Sequence, residues 1–251
     1  MGEPAPSGAL RSERDVLLAT KLNVPGMRPD LVPRPRLAQR LDEGRERGLV
    51  LACAPAGYGK TVLLAEWVRR GRRPVAWLSL DAGDNDPARF WRHIVAALGR
   101  VRPGISERMG PLLGSPPPPS FEPLVTALIN EVAGQADADE ALLLVLDDYH
   151  VISSQLVHES LGFLLDNRPP GLQLALTSRS DPPLALERLS GELCDAVTGR
   201  PGSQALLEQV ERAGLFVVPL DEVPRGRVAA ELYRPGIPGH GRVAPWPARG
   251  S

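Results

Sequence analysis

One segment of the chain joins an apolar run, a glycine-bearing loop and an apolar helical pattern without interruption, and this order restricts the fold more than any other feature. The apolar run is Leu49-Val50-Leu51-Ala52-Cys53, the loop extends from Ala54 to Gly59, and Val62 to Val68 follow as an apolar helical stretch. Strand, glycine loop, Lys-Thr and helix in this order are the parts of a phosphate-binding loop. The segment therefore predicts an α/β protein that holds an anion at the end of a strand.

Each residue type in the loop suits a bound phosphate group. Glycines let backbone N–H groups turn towards phosphate oxygens, and the N-terminus of the following helix favours negative charge. Lys60 is the candidate for contacting the β- and γ-phosphates, and the Thr61 hydroxyl is a candidate Mg²⁺ ligand. The candidate nucleotide-binding residues of this loop are Ala54, Pro55, Ala56, Gly57, Tyr58, Gly59, Lys60, Thr61 and Val62.

Two details of the loop bear on this interpretation. Ala54 stands where the strict pattern has its first glycine, and alanine is acceptable there if its φ is negative. Lysine is rare, because among 29 basic residues only Lys21 and Lys60 are lysines. A compact ammonium fits between two phosphates where a planar guanidinium would be bulky. The alternative interpretation is an ordinary glycine-rich turn between a strand and a helix.

A second apolar run, Leu142 to Leu146, leads directly into Asp147 and Asp148. A continuous apolar run of this length is typical of a strand buried on both faces in a parallel sheet. Carboxylates at its carboxyl end lie where open α/β sheets bind ligands. Asp147 is the candidate for holding Mg²⁺, and Asp148 joins Lys60 as a catalytic candidate because it can orient or activate an attacking water. The alternative is an acidic strand end that only begins a turn.

The composition argues against several function classes. The net charge is −1 over 251 residues, so no global basic field indicates nucleic-acid binding. No apolar run approaches the roughly 20 residues that span a membrane, and the N-terminus lacks the apolar core of a signal peptide. We therefore expect a cytoplasmic protein that does not associate with membranes and that does not bind DNA specifically by itself.

The pattern along the chain predicts four parts. Residues 1–14 are predicted to be disordered. Residues 15–183 alternate strands and helices, which predicts a three-layer P-loop NTPase domain with a mostly parallel sheet. Residues 184–222 are predicted to contain a helix followed by a strand, and the Pro/Gly/Arg-rich residues 223–251 to be an unstructured tail. The predicted strands of the NTPase part are 49–53, 74–80, 141–146 and 172–177, and its predicted helices are 35–45, 62–68, 87–98, 122–132 and 155–166.

A combination of motifs extends beyond the phosphate-binding loop and resembles one protein family. These motifs are Lys21-Leu22 with Pro25, Arg34-Pro35-Arg36-Leu37, Ala54 to Thr61, Trp77 to Asp81, Asp84-Asn85-Asp86-Pro87, Leu146 to His150 and Thr177 to Pro183. Together they resemble the ATP-binding domain of MalT-like, large LuxR-type bacterial transcription activators, which belong to the STAND class of signalling P-loop NTPases. The resemblance covers about residues 15–189.

The resemblance implies a switch gated by ATP, ADP and Mg²⁺ with slow hydrolysis, in which the ATP form associates with itself or with full-length relatives. By the same resemblance, Arg179 would sense the γ-phosphate and Arg34 would lie near the base and ribose. The alternative for Arg34 is a plain surface arginine.

The chain also departs from the family pattern. In the family, a helical domain and then a winged-helix domain follow the Asp-Pro-Pro segment, whereas here residues 184–222 resemble only part of the winged helix. We therefore expect an internally deleted, truncated relative without the C-terminal LuxR helix-turn-helix. Two other functions stay open, a P-loop small-molecule kinase or phosphotransferase and a non-functional fragment.

Overall fold

The computed structural model describes seven segments of the chain, namely residues 17–27, 34–44, 48–114, 120–135, 141–180, 182–184 and 215–219. The predictions for residues 1–14, for the helix between residues 203 and 215 and for the tail 223–251 lie outside these residues. The domain boundaries drawn from the sequence stay predictions.

Helices and parallel strands alternate through the described segments. The helices are α1 (Pro35–Glu43), α2 (Lys60–Arg70), α3 (Pro87–Val101), α4 (Pro103–Leu113), α5 (Glu122–Gly134) and α6 (Gln155–Asp166). The strands are β1 (Leu49–Cys53), β2 (Val75–Ser79), β3 (Leu142–Asp147), β4 (Leu172–Ser178) and β5 (Leu215–Pro219). Short 3-10 helices lie at Ala19–Leu22, Ala82–Asn85 and Tyr149–Val151. The elements predicted for residues 35–177 are all present, with ends that differ by a few residues.

The strands form one parallel sheet in the order β2-β3-β4-β1-β5. Leu51 of β1 lies opposite Leu176 of β4, and Trp77 of β2 lies opposite Val145 of β3. Because every pairing is parallel, the carboxyl ends of all strands meet at one edge of the sheet. The α/β fold with a parallel sheet that the sequence predicts is confirmed.

Strand β5 comes from the part of the sequence that resembles a winged helix. Its backbone pairs with β1 in parallel, from Leu49 opposite Leu215 to Cys53 opposite Pro219. An unpaired edge of β1 would expose a row of N–H and C=O groups. In this fold, β5 covers that edge.

Two apolar clusters lie on opposite faces of the sheet, because successive side chains of a strand point to opposite sides. One cluster joins α3, α4, α5 and α6 to the sheet through Leu51, Leu78, Leu144 and Leu174, among others. The other joins α1 and α2 through Val50, Trp77, Val145 and Ala175, among others. The sheet is therefore the middle of three layers.

No helix in the described part of the chain is long and apolar enough to cross a membrane.

Helix α4 was not predicted, because its sequence contains residues that usually end helices. Gly104, Gly110 and Pro111 lie within it, and glycine and proline both disfavour helix interiors. The helix nevertheless buries Ile105 and Met109, one turn apart, which are 0% and 1% exposed. Tertiary packing against α3 and α5 therefore outweighs the local propensity.

A buried ion pair anchors the N-terminal segment beside β2. The Lys21 ammonium donates to the Asp84 carboxylate, which is 0% exposed, and it lies 3.0 Å from Asp81 Oδ2. His93 Nδ1 lies 2.7 Å from the other Asp84 oxygen. Burial raises the pKa of Asp84, but the hydrogen bonds from His93 and Lys21 outweigh burial and hold this pKa below its ordinary value. Lys21 therefore stabilises the fold through this ion pair, away from the loop that contains Lys60, the other lysine of the chain.

Lys21→Met should lower the free energy of unfolding by about 3 kcal/mol, because it removes the ammonium that donates to a buried carboxylate and leaves Arg89 Nε, 3.7 Å away, as the nearest cation. Urea denaturation measures this change. Arg108→Ala is the control, because it removes an ion pair to Glu131 in which the arginine side chain is 70% exposed, and such pairs contribute at most about 1 kcal/mol. A loss for Lys21→Met no larger than that of the control would contradict the anchoring role.

Candidate nucleotide-binding site

The loop between β1 and α2 makes two backbone turns that suit glycine. Gly57 and Gly59 have φ of +87° and +76°, a region where residues with a Cβ are strained. Among the described non-glycine residues, Asp148 alone has a positive φ, so Ala54 meets the condition for replacing the first glycine. The Ala54 N–H donates to the Ser178 carbonyl at 3.2 Å, which extends the pairing of β1 with β4 into the loop.

Lys60 is the first residue of α2, and its side chain folds back onto the loop. Its ammonium donates to the Ala54 carbonyl at 2.7 Å and to the Pro55 carbonyl at 3.1 Å. Burial lowers the pKa of Lys60; the nearby charge of Asp148 acts against this shift, whereas that of Arg179 adds to it. The ammonium is therefore held by two carbonyl oxygens at the point where a phosphate could replace them.

Asp147, at the end of β3, accepts two hydroxyl hydrogen bonds on one oxygen. Thr61 Oγ1 donates to Asp147 Oδ1 at 2.9 Å, and Thr177 Oγ1 donates to the same oxygen at 2.7 Å. Burial raises the pKa of Asp147, and the two hydroxyls offset this only in part. A hydroxyl and a carboxylate side by side are the hard oxygen donors that Mg²⁺ prefers, so the Thr61–Asp147 pair fits the metal that the sequence implied.

Asp148 has a left-handed backbone, with φ of +62°. Its N–H donates to Thr177 Oγ1 at 2.7 Å, and its side chain is 41% exposed, with Oδ1 lying 3.7 Å from His150 Nδ1. Non-glycine residues in this conformation cost free energy and persist where surrounding contacts hold them. The structure therefore places a strained, partly exposed carboxylate beside the buried one.

The two arginines that the family resemblance singled out both come to this edge of the sheet. Arg34 Nη1 donates to the Tyr58 carbonyl at 2.6 Å. A Cβ atom added to Gly59 would lie 3.6 Å from Arg34 Nη2. Arg179 is exposed. Burial lowers the pKa of both Lys60 and His150, and the charge of Arg179 adds to this shift. The loop residues Pro55, Ala56, Gly57 and Val62 are exposed beside these groups.

The residues that follow Asp148 are fastened to two neighbouring elements. The Asn85 side chain donates to the Val151 carbonyl at 2.9 Å and accepts from the Ser153 and Ser154 N–H groups at 2.6 and 2.9 Å. The Tyr149 hydroxyl lies 2.8 Å from His158 Nδ1 of α6. These hydrogen bonds therefore hold the backbone that follows Asp148 in one position between β3 and α6.

Sequence reasoning gave no role to Thr177 and His150, although the structure places both beside the aspartates. Thr177 carries the same signal as Asp147, a polar residue at the carboxyl end of an apolar strand, and it could have been found from this signal. His150 offers only its closeness to Asp148 in the sequence. The site residues predicted from the sequence are all brought together.

The parallel sheet, the glycine loop between β1 and α2 and the acidic end of β3 define a P-loop NTPase fold. A family profile described as an AAA domain matches residues 42–181, and one described as the MalT winged helix domain matches residues 164–230. The chain belongs to the AAA domain family, and its second matched region is similar to the winged helix domain of MalT.

Three curated relatives illustrate this similarity. The HTH-type transcriptional regulator MalT of Serratia proteamaculans is 36% identical over 174 residues, 69% of this chain and 19% of the relative. MalT of Vibrio cholerae is 34% identical over 172 residues, 68% of this chain and 19% of the relative. The serine/threonine-protein kinase PknK of Mycobacterium tuberculosis is 36% identical over 170 residues, 66% of this chain and 15% of the relative. The chain thus spans a fifth or less of the length of these proteins.

A solved structure, the Walker-type ATPase of Pyrococcus abyssi, shows a weak likeness in fold. Its TM-score is 0.40 and its sequence identity 15%, and the match covers 76% of this chain and 54% of the ATPase chain.

Replacing Asp148 by alanine or by glycine tests the strain in its backbone. Both variants lose the carboxylate, but only glycine adopts the left-handed conformation without cost, so Asp148→Gly should be more stable than Asp148→Ala by about 1 kcal/mol. Urea denaturation of both variants measures the difference. Equal stability, or a more stable alanine variant, would show that the positive φ is not held in solution.

Proposed function

We propose that this chain is the nucleotide-binding core of a MalT-like regulator, which binds Mg·ATP or Mg·ADP, hydrolyses ATP slowly and uses the two nucleotides as a switch. The contact between Thr61 and Asp147 carries this proposal, because it joins the phosphate-binding loop to the acidic strand end. A glycine-rich turn alone would have no reason to meet a buried carboxylate there.

The residues of the loop have separate roles in this proposal. The N–H groups of residues 56–62 surround the phosphates, and the Lys60 ammonium moves from the loop carbonyls to the β- and γ-phosphates. Thr61 and Asp147 would hold Mg²⁺, which would neutralise negative charge on the phosphates. Arg34, fastened to Tyr58, lies beside the nucleotide.

Hydrolysis requires a water aligned with the γ-phosphate, and Asp148 is the group proposed to orient it. The exposed Arg179 contacts the γ-phosphate and so distinguishes ATP from ADP. A fully engaged arginine is worth roughly 10³- to 10⁵-fold in rate in related reactions. Arg179 is proposed as a sensor of the γ-phosphate and not as a partner arginine that stabilises the transition state, so we expect hydrolysis much slower than that of a metabolic kinase.

The relatives favour a shared module over kinase chemistry. MalT is a transcriptional regulator and PknK a protein kinase, yet they match 69% and 66% of this chain, over 174 and 170 residues. A region common to a transcriptional regulator and to a protein kinase fits a nucleotide-dependent switch that serves both. Self-association of the ATP form and the absence of specific DNA binding by this chain stay predictions.

Lys60→Ala should weaken nucleotide binding by on the order of 2–4 kcal/mol, because it removes the cation from a buried charge pair with the phosphates. Titration calorimetry with ATP and with ADP measures the change, and Arg108→Ala, on the exposed ion pair with Glu131, is the matched control. Wild-type affinity in Lys60→Ala would refute the assigned phosphate contact.

Asp148→Asn should reduce phosphate release by about 10²-fold, the lower range for a positioned acid–base group, while nucleotide affinity stays close to that of the wild type. Asparagine tolerates the left-handed backbone at this position, so the change isolates the charge. A colorimetric phosphate assay under single-turnover conditions measures the rate. Unaltered phosphate release would remove Asp148 from the proposed mechanism.

A further inference from the structure

A single buried hydroxyl connects both aspartates of the site. Thr177, in β4, is 0% exposed. Its Oγ1 donates to Asp147 Oδ1 at 2.7 Å and accepts from the Asp148 N–H at 2.7 Å. Since Thr61 donates to the same Asp147 oxygen at 2.9 Å, the loop, β3 and β4 meet in one chain of hydrogen bonds.

The chemistry of the groups fixes the direction of these hydrogen bonds. The backbone N–H of Asp148 can only donate, so Thr177 Oγ1 must accept from it. The one hydroxyl proton of Thr177 is then left for the Asp147 carboxylate, which can only accept when it is ionised. The position requires a γ-hydroxyl, which serine also supplies and which valine, of nearly the same shape, lacks.

Both hydrogen bonds act on features that the reaction needs. The first holds Oδ1 of Asp147, the carboxylate that is proposed to bind Mg²⁺ or its water. The second holds the backbone of Asp148 at its positive φ, a conformation that persists only where surrounding contacts impose it. Loss of the Thr177 hydroxyl would loosen the metal ligand and the water-orienting carboxylate together.

We propose that Thr177 is a positioning residue for this site, which sets the Asp147 carboxylate for the metal and the Asp148 backbone for the attacking water. The proposal rests on the proposed function of the site. Thr177 also lies two residues before Arg179, so a displacement of the end of β4 on contact with a γ-phosphate would reach both aspartates through this hydroxyl.

The experiment compares Thr177→Val, Thr177→Ser and Thr177→Ala with the wild-type chain. Titration calorimetry measures ATP affinity with Mg²⁺ and with EDTA, single-turnover assays measure phosphate release, and urea denaturation measures stability. Ser160→Ala is the matched control, because Ser160 is a hydroxyl in α6 that is 5% exposed and accepts from Trp91 Nε1 at 3.0 Å, outside the site.

We expect Thr177→Val to bind ATP in EDTA as the wild type does. The gain in affinity that Mg²⁺ provides and the rate of phosphate release should each fall about 10- to 100-fold, as for other groups that orient metal ligands. Thr177→Ser should restore most of both losses, and Ser160→Ala should change stability alone. Thr177→Ala gives the same comparison if valine prevents folding.

Three results would overturn the proposal. If Thr177→Val keeps the wild-type gain from Mg²⁺ and the wild-type rate, Thr177 does not position the site, whether or not stability falls. If serine fails to restore the losses of the valine variant, the hydroxyl is not responsible. If the wild-type chain binds no ATP, the proposed function fails and this proposal fails with it. In the first two cases, weaker ATP binding by Lys60→Ala would still support the function.

Discussion

The parallel alignment of β1, β3 and β4 is the constraint on which the site depends. Parallel strands bring all carboxyl ends to one edge, and the order β3-β4-β1 leaves a single strand between the phosphate-binding loop and the acidic strand end. Thr61, at the start of α2, can therefore reach across to Asp147. An antiparallel β3 would place its aspartates at the opposite edge of the sheet. The intervening strand β4 contributes Thr177, whose hydroxyl donates to the same Asp147 oxygen.

Burial opposes two of the charges in the site. Burial lowers the pKa of Lys60 and raises that of Asp147, so the charged form of each group is disfavoured. Perturbed groups of opposite sign in one place are typical of functional sites. A phosphate and a divalent cation would each supply the charge that these groups lack. The same residues therefore favour a ligand that carries both charges.

Much of the fold and the site could be predicted because their signals are local. The strand before Ala54, the glycines and Lys60 are contiguous in the sequence, and the apolar run before Asp147 is unambiguous. Helix α4 was missed because Ile105 and Met109 gain their stability from distant helices, whereas the local glycines and proline indicate a loop. The pairing of β5 with β1 is equally non-local, and no pattern within residues 215–219 specifies its partner. Arg34 was placed by family resemblance alone, because its contact with the Tyr58 carbonyl depends on the tertiary course of the N-terminal segment.

The position of β5 has a consequence for how the chain acquires its fold. β1 is synthesised before one of its two partners, Leu215–Pro219, and helices α2 to α6 lie between the two strands in the sequence. Contacts between residues so far apart in sequence slow folding, because loop closure precedes any gain from pairing. Throughout synthesis of the intervening helices, the nascent sheet presents an open edge, and such edges make intermediates prone to aggregate. The order of synthesis thus leaves this edge of β1 without its partner strand until Leu215–Pro219 have been made.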